Sequence, residues 1–228
     1  MRIAVFTAAI GSQTDQIKPP TVIVADPDVH YIAFMTGEHK SPPAPWSECS
    51  LGRPTSPDVP DTWPIRQARM VKHRADLWLP DFDYSLWIDA AYRLDVSPVD
   101  IVAEMPASAD VCVLEHPDRS TIRQEGAELV RLGMVPQGVI DDQLHLMRAF
   151  ADRQTRLSST GFLLRRHSAK VTQFNETWAT EFTLGGHTRD QMTFDAVADA
   201  NGIFVHFLRG HYRDNPYAKW FPNRRRRG

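Results

Sequence analysis

The sequence predicts a single α/β domain with a mostly parallel, doubly wound sheet flanked by helices. Short runs rich in valine, isoleucine and aromatic residues alternate with longer segments of helical periodicity through most of the chain. One of the short runs, residues 83–89, is largely apolar and ends abruptly at Asp89. An apolar run of that length is typical of a strand covered on both faces. The alternation and this buried strand together predict the doubly wound arrangement.

The individual elements follow from the same two periodicities. The predicted strands are 3–7, 21–25, 31–35, 83–89, 111–114, 161–164 and 203–208. The predicted helices are 61–79, 98–104, 121–132, 139–151, 169–182 and 189–200. Residues 37–64 contain seven irregularly spaced prolines, which is unsuitable for a helix or a central strand. This segment is predicted to be a loop that covers part of a site.

Composition predicts a soluble globular protein. The chain has 228 residues, 42% of them hydrophobic, and its formal charge of -2 does not suggest a general polyanion binder. Cys49 and Cys112 lie far apart, outside disulfide or zinc spacing, so a reducing cytoplasm fits best. The chain has neither a signal-peptide pattern nor an apolar stretch long enough to span a membrane. We expect a cytoplasmic domain over residues 1–222 and a short basic tail over 223–228.

Asp89 is the strongest single candidate for a functional residue. It follows a predicted buried strand, and ligands of open α/β sheets bind at the carboxyl ends of the strands. The alternative is that Asp89 ends the strand and caps the following turn, which is a common role for aspartate. Both interpretations place its carboxylate at the edge of the sheet.

Basic residues on the helix before Asp89 are candidates for phosphate binding. Arg66, Arg69 and Lys72 are spaced three apart, which places them on one side of a helix. The glycine-rich fingerprints of dinucleotide and P-loop sites are both missing from the sequence. A bound nucleotide would therefore be held by side chains and a cation. The alternative is a basic helix face exposed to solvent.

Several motifs in this order resemble a known family. These motifs are Val5-Phe6-Thr7-Ala8 with Gly11, Ala68-Arg69 with Lys72, Tyr84 to Asp89, Glu115-His116-Pro117-Asp118-Arg119 with Glu125, Gln143, Gly161 to His167, Phe174-Asn175 with Trp178, and Arg189-Asp190-Gln191. Together they resemble glycosyltransferase-like proteins of the GT-A superfamily, once classed as a domain of unknown function, with plant and bacterial members. The resemblance covers nearly the whole chain. It implies a GT-A fold, a nucleotide-sugar donor and an acceptor hydroxyl.

The resemblance also implies a position for a divalent cation, manganese or magnesium. In GT-A enzymes an acidic motif at a strand end, commonly Asp-x-Asp, holds the cation against the donor diphosphate, and Asp89 corresponds to it. Here the motif is Asp89-Ala90-Ala91, which lacks the second carboxylate. A late histidine can supply a further ligand in such enzymes, so His211 is a candidate and His206 a weaker one. The alternative for either histidine is an ordinary surface or core position.

The remaining site residues follow from the same resemblance. Asp190 and Asp89 are the expected catalytic residues, and the expected substrate-binding residues are Thr7, Ala8, Arg66, Arg69, Lys72, His116, Arg119, Arg189 and Gln191. Asp190 is a candidate base or sugar-hydroxyl ligand, with a favourable charge at a helix start as the alternative. His116 and Arg119 are candidates for contacting the donor sugar. Their alternative is a turn in which Pro117-Asp118 caps the next helix.

Aromatic residues divide into packing and binding candidates. Phe174, Trp178 and Phe182 are spaced four apart and are expected to form a helix packing stripe. The candidates for acceptor contact are Trp63, Tyr212, Tyr217 and Trp220, and residues 209–220 could fold over the donor as a lid.

The sequence leaves two other functions open. One is a nucleotide-sugar binding protein without catalysis, which the missing second carboxylate favours. The other is a nucleic-acid-modifying transferase guided by the four arginines of the tail. The acceptor is not identified by the sequence and could be a glycan, a protein, a small molecule or a modified nucleic acid.

Overall fold

A computed structural model describes residues 1–10, 18–36, 41–52, 63–184 and 189–221. The strands are β1 (Ile3–Ala9), β2 (Thr21–Val22), β3 (Val29–Thr36), β4 (Ser47–Leu51), β5 (Tyr84–Ile88), β6 (Tyr92–Leu94), β7 (Val111–Glu115), β8 (Ser158–Arg166), β9 (Val205–His211) and β10 (Ala218–Trp220). The helices are α1 (Trp63–His73), α2 (Ala75–Trp78), α3 (Pro98–Ala103), α4 (Ile122–Arg131), α5 (Gln137–Leu146), α6 (Arg148–Ala151), α7 (Ala169–Leu184) and α8 (Gln191–Ala200).

The central sheet confirms the predicted α/β class. Its seven strands have the order β4-β3-β1-β5-β8-β7-β9. All neighbouring strands are parallel except that β8 runs antiparallel to both β5 and β7. Strand β1 is buried along its whole length, as expected for a strand with covered faces. The sheet is therefore mostly parallel and places the carboxyl ends of β1 and β5 at one edge.

Side chains of the central strands alternate between two cores on opposite faces of the sheet. In β1, Val5 belongs to the core that includes Ile101 of α3. Its neighbour Phe6 belongs to the core that includes Val71 of α1, Trp178 of α7 and Phe194 of α8. Because the side-chain period of a strand is two, this alternation decides which residues of β5 and β8 face α1.

The structure corrects several predicted boundaries. Residues 47–51 form β4, although the surrounding prolines predicted a loop. This strand pairs with β3 from Ile32 to Thr36, and the indole of Trp46 donates to the carbonyl oxygen of Pro20 at 2.8 Å. Backbone pairing and one buried tryptophan thus fix a segment that the prolines only flank. The predicted helix 61–79 is divided into α1 and α2, and helix 139–151 is divided into α5 and α6.

A second, three-stranded sheet was not predicted. Its order is β10-β6-β2, with β10 antiparallel and β2 parallel to β6. Strand β2 lies within the predicted strand 21–25, whereas β6 and β10 contain only three residues each, too few to show a side-chain period in the sequence.

Some predictions fall outside the described residues. These are Gly11, half of the loop 37–64, the start of helix 61–79, the segment 185–188 and the basic tail 223–228. The division into a domain over 1–222 and a tail therefore stays a prediction. Within the described residues, no helix has both the length and the apolar character needed to cross a membrane.

Candidate functional site

Asp89 lies directly after β5, at the carboxyl edge of the central sheet. Trp87 belongs to the core that α1 covers, so by alternation Asp89 is on the same face. The Trp87 indole donates a hydrogen bond to Asp89 Oδ1 at 2.7 Å, and the Asp89 amide donates to the carbonyl oxygen of Gly161 at 2.8 Å. The side chain remains 35% exposed. The indole rather than the following turn orients this carboxylate.

Two of the three predicted basic residues of α1 turn inward. Lys72 is fully buried, and its Nζ lies 2.6 Å from Asp190 Oδ2. Arg69 Nη1 lies 3.6 Å from Asp89 Oδ1, and Arg69 Nε lies 3.5 Å from Asp190 Oδ1. The alternative of a solvent-exposed basic face is therefore wrong for Arg69 and Lys72. Arg69 links the carboxylate that follows β5 to the carboxylate that precedes α8.

Asp190 precedes α8 but does not cap it. Its backbone is helical, with φ of -65° and ψ of -24°, and its side chain makes no capping hydrogen bond. The carboxylate turns instead toward Lys72 and Arg69. Burial raises the pKa of Asp190, but the charges of Arg69 and Lys72 outweigh burial and hold this pKa well below its usual range. Asp190 is therefore more than a favourable charge at the start of a helix, because its carboxylate forms ion pairs with Arg69 and Lys72.

Lys72 remains a cation in this environment. Burial lowers the pKa of its ammonium group to about 8, and the charge of Asp190 opposes that effect. The ammonium nitrogen also lies 5.8 Å from the centroid of the Trp87 ring and 5.5 Å from that of Trp178. These distances suit cation–π attraction, which strengthens when the cation is desolvated.

His73 is a site residue that the sequence analysis missed. It is fully buried, its ring lies 3.9 Å from the Trp178 ring, and the two planes are inclined by 33°. Its Nε2 lies 3.5 Å from Asp190 Oδ2, which is too long for a good hydrogen bond. Burial lowers its pKa to about 4, so the imidazole is neutral at pH 7. The sequence feature that could have identified His73 is its position next to Lys72 and one helical turn after Arg69.

Arg165 is a second missed residue. This arginine of β8 is fully buried, and its Nη2 donates to the backbone oxygen of Lys72 at 2.9 Å. Its Nε and Nη1 have no hydrogen-bond partner. Burial lowers the pKa of this guanidinium to about 9, against the charges of Asp76 and Asp190. The sequence feature that could have identified Arg165 is a charged residue that continues an apolar strand, because a charged residue is rarely buried.

Arg189 and Gln191 flank Asp190. Arg189 is partly buried, and burial lowers the pKa of its guanidinium, with Glu125 as the main opposing charge. Asp89, Asp190 and Arg69 also act on this pKa, which places Arg189 within their electrostatic range. Gln191 Nε2 is buried without a hydrogen-bond partner. The Arg189-Asp190-Gln191 motif therefore contributes to the same region as Arg69.

His116 and Arg119 form a separate arrangement after β7. His116 Nδ1 accepts from the backbone amides of Asp118 and Arg119, at 3.2 Å and 3.1 Å. Arg119 Nε donates to Glu125 Oε2 at 2.6 Å. Burial lowers the pKa of His116 to about 4, helped by the charge of Arg119. These hydrogen bonds form a turn. Glu125 connects this turn to the region of Asp190, because it accepts from Arg119 and its charge also acts on Arg189.

The turn given as the alternative role of residues 116–119 is present, but Pro117-Asp118 does not cap the next helix. Thr121 caps α4 by accepting from the amide of Gln124 at 3.2 Å. Asp118 instead pairs with Arg213, at 3.1 Å and 2.6 Å for the two oxygens. This ion pair connects the His116 turn to the segment after β9, which was predicted to be a lid.

Three other predicted substrate-binding residues lie apart from the carboxylates of Asp89 and Asp190. Thr7 alternates with Phe6 and so faces the core that contains Val5, where its Oγ1 is buried without a hydrogen-bond partner. Ala8 is on the same face as Phe6. The Arg66 guanidinium lies 5.8 Å from the centroid of the Phe182 ring. Their role in substrate binding stays a prediction.

A divalent cation does not fit the described side chains. Across residues 1–10, 18–36, 41–52, 63–184 and 189–221, no group of three or more histidine, cysteine, aspartate or glutamate side chains is placed to hold a metal ion. Asp89 already has Arg69 beside it. His211 accepts from the Arg213 amide at 3.3 Å through Nδ1, and its backbone pairs with Asp214. The predicted metal pair, Asp89 and His211, gains no third ligand here.

The predicted aromatic residues divide into buried packing residues and candidates for contact with an acceptor. Phe174, Trp178 and Phe182 are buried in contact with α1 or α8, which confirms the packing stripe. Tyr217 is also buried, and its hydroxyl donates to Glu104 at 2.5 Å, so it is not available for an acceptor. The ring of Tyr212 lies 5.2 Å from each of the His116 and Trp220 rings. Tyr212 and Trp220 therefore remain the aromatic candidates near the His116 turn.

A cavity of about 780 Å³ lies between α5, α6, α7 and α8. Leu146, Phe150, Leu184 and Val197 are among the residues that line it. None of the predicted site residues lines this cavity. The chemistry at the carboxyl edge of the sheet and this apolar cavity are thus different places in the molecule.

Known proteins resemble this chain in both sequence and fold. The family model of the TOD1/MUCI70 glycosyltransferase-like domain matches residues 65–207, which include most of α1, all of β5 and Asp190. The apo crystal structure of mouse xyloside xylosyltransferase 1 has a similar fold, with a TM-score of 0.50 and 7% sequence identity. The similarity covers 91% of this chain and 84% of that one. No curated protein matches the sequence.

Proposed function

The chain belongs to the TOD1/MUCI70 glycosyltransferase-like family, and from that premise we propose that it transfers a sugar from a nucleotide-sugar donor to an acceptor hydroxyl. The observation that supports this function best is the charge arrangement around Arg69. One guanidinium lies between Asp89 and Asp190 at the carboxyl edge of a mostly parallel sheet, where α/β proteins bind ligands.

The proposed reaction exchanges one bond at the anomeric carbon for another. The bond from that carbon to the donor phosphate oxygen breaks, and its electron pair leaves with the diphosphate. The acceptor oxygen bonds to the same carbon and gives up its proton to water. The main demand on the protein is to stabilise negative charge on the leaving diphosphate, which favours preorganised cations. Arg69 and Arg189 are the proposed groups for this role.

We assign Asp190 a positioning role in this reaction. A buried carboxylate beside Lys72 and Arg69, with a pKa held well below its usual range, is a poor acceptor for a proton. The same carboxylate is well placed to hold both cations in fixed positions. Asp89 is more exposed and is the proposed contact to the donor sugar. Tyr212 and Trp220 are the proposed aromatic surface for the acceptor.

The test uses the purified chain with a panel of nucleotide sugars, following thermal stability and donor turnover. We expect one donor to raise the melting temperature and to be consumed. Asp89→Asn should lower turnover by about 10²-fold, the effect of removing one preorganised polar contact. Asp81→Asn, an exposed aspartate two positions before Asp83, is the matched control and should leave turnover unchanged. Equal turnover in Asp89→Asn and the parent protein would contradict the assignment.

A nucleotide-sugar binding protein without turnover is the second candidate function. It is favoured by Asp89 being followed by two alanines and by Asp190 being held in ion pairs. The same panel separates the two functions, because this candidate predicts stabilisation by one donor with no consumption of it.

A further inference from the structure

Four cationic side chains surround two carboxylates where the proposed donor would bind. The cations are Arg69, Lys72, Arg165 and Arg189, here termed the basic cluster. Arg69 and Lys72 contact Asp190 directly, and Arg69 also faces Asp89. Arg165 donates to the backbone of Lys72, and Arg189 immediately precedes Asp190 in the chain. Two further carboxylates that act on Arg165 and Arg189 are already paired, Asp76 with Arg74 and Glu125 with Arg119. The four cations therefore exceed the two remaining carboxylates by two positive charges.

The two carboxylates are already committed to these cations. Asp190 Oδ2 faces Lys72 at 2.6 Å, and Oδ1 faces Arg69 at 3.5 Å. Asp89 Oδ1 accepts from Trp87 and faces Arg69 at 3.6 Å. A hard divalent cation such as magnesium is usually bound through one or two carboxylates together with substrate phosphates and waters. An ion at Asp89 would lie next to the Arg69 guanidinium, where like charges repel.

An unpartnered donor next to Asp190 points to an anion as the missing partner. Gln191 Nε2 is buried without a hydrogen-bond partner. Buried donors without partners are costly, so such groups are usually satisfied by a ligand or a bound water. The diphosphate of a nucleotide-sugar donor carries about two negative charges, one on each phosphate, and several acceptor oxygens. Its charge matches the excess on the basic cluster.

We propose that the basic cluster neutralises the donor diphosphate without a divalent cation, so that binding and transfer do not depend on metal. This inference rests on the proposed glycosyltransferase function and specifies how its leaving group is stabilised. Arg69, Arg189 and the Gln191 amide contact the diphosphate, while Lys72 and Arg165 supply charge from behind them. Asp190 and Asp89 keep the cations apart and oriented. A guanidinium suits this task because its planar donors match phosphate oxygens.

The experiment measures nucleoside diphosphate binding by calorimetry on the full chain. UDP, GDP, CDP and ADP are each compared with their nucleosides, once in EDTA and once in manganese. We expect one diphosphate to bind in EDTA with a dissociation constant within about threefold of that in manganese, and at least about tenfold below that of its nucleoside. Arg69→Gln should weaken binding about tenfold in EDTA, and Arg69→Lys should weaken it less. Arg131→Gln, an exposed arginine on α4, is the control and should not change it.

The outcomes separate this inference from the proposed function. Binding that appears only with manganese overturns the metal-independent cluster and leaves the glycosyltransferase function intact. No binding of any diphosphate under either condition overturns both. Equal binding by Arg69→Gln and the parent protein also overturns the inference. Circular dichroism of the two Arg69 variants shows whether a loss of binding comes from misfolding.

Discussion

Lys72 Nζ lies 2.6 Å from Asp190 Oδ2, although 118 residues separate them, and neither side chain has more than a small exposed fraction. The pair ties α1 to the start of α8. The Trp178 indole adds α7 by donating to the backbone oxygen of Asp190 at 3.1 Å. Stability and site geometry therefore depend on the same ion pair, because displacing Asp190 would also release Arg69.

Asp190→Asn should strongly destabilise the protein. The substitution leaves Lys72 and Arg69 buried beside a neutral amide, and breaking a buried pair from one side typically costs about 3–5 kcal/mol. Urea denaturation measures the change in the free energy of unfolding. Glu128→Gln is the control, since Glu128 and Arg131 form an exposed pair on α4, and this variant should match the parent protein. A loss for Asp190→Asn below about 1 kcal/mol would contradict the buried-pair interpretation.

Gly161→Ala should impair donor turnover while leaving the fold intact. A Cβ at this position would lie 3.0 Å from Asp89 Oδ2, so the carboxylate must shift by a few tenths of an ångström. A misplacement of about 1 Å at a reacting centre can lower the rate by about 10²-fold, so we expect this smaller shift to lower turnover by about tenfold or less. The measurements are donor turnover and melting temperature for the same variant.

Gly138→Ala is the matched control for this substitution. Its Cβ would meet no atom within 4 Å, and the position is in α5, where alanine is the better helix former. This variant should keep full turnover and be at least as stable as the parent. Unchanged turnover in Gly161→Ala would show that the position of Asp89 is not critical.

Asp195 should make the protein more stable as the pH falls. This aspartate of α8 accepts from the Ser158 amide at 3.0 Å, from the Ser158 hydroxyl and from Gln154 at 2.9 Å. Burial raises its pKa from 3.8 to about 6 despite these hydrogen bonds. Because the folded state binds the proton more tightly than the unfolded state, stability from this group falls as the pH rises from about 4 to about 6. The difference corresponds to about 3 kcal/mol.

The comparison with Asp195→Asn isolates this effect. His73, His116 and His167 have pKa values lowered to about 4 and oppose it, since their stability contribution rises with pH over the same range. Urea denaturation at pH 4.5 and pH 7 is therefore done on both proteins. We expect the free energy of unfolding to change less favourably from pH 4.5 to pH 7 in the parent than in Asp195→Asn, because only the parent loses the contribution of Asp195. Parallel curves for the two proteins would show that Asp195 does not titrate in this window.

The sequence predicted the position of Asp89 because that position depends on one local feature. An apolar run that ends at a carboxylate indicates both the strand and the edge of the sheet, and the structure confirms both. The inward turn of Lys72 was not predictable, since residues spaced three apart on a helix fit a solvated face equally well. The direction was decided by Asp190, more than a hundred residues away.

Arg165 and His73 were missed for the same reason. A charged or polar residue next to apolar neighbours suggests an exposed position unless the structure supplies a buried partner. Those partners come from other elements: the Lys72 backbone for Arg165, and the Trp178 ring for His73. Strand β4 was missed because its pairing with β3 overrides the composition of a proline-rich neighbourhood. Local sequence patterns thus predicted the edge of the sheet. Contacts between residues distant in sequence determined which charged and polar side chains are buried behind that edge.

The charge of Lys72 should make nucleoside diphosphate binding depend on pH above neutrality. Burial lowers its pKa to about 8, so the ammonium is charged at pH 7 and largely neutral at pH 9.5. Because its charge contributes to the excess on the basic cluster, affinity should be highest near pH 7 and fall about tenfold by pH 9.5. Lys72→Met should bind more weakly at pH 7 and show a smaller fall with pH, which comes from Arg165, whose pKa burial lowers to about 9. Calorimetry in EDTA at both pH values measures each protein, and a fall of the same size in Lys72→Met would assign the titration to another group.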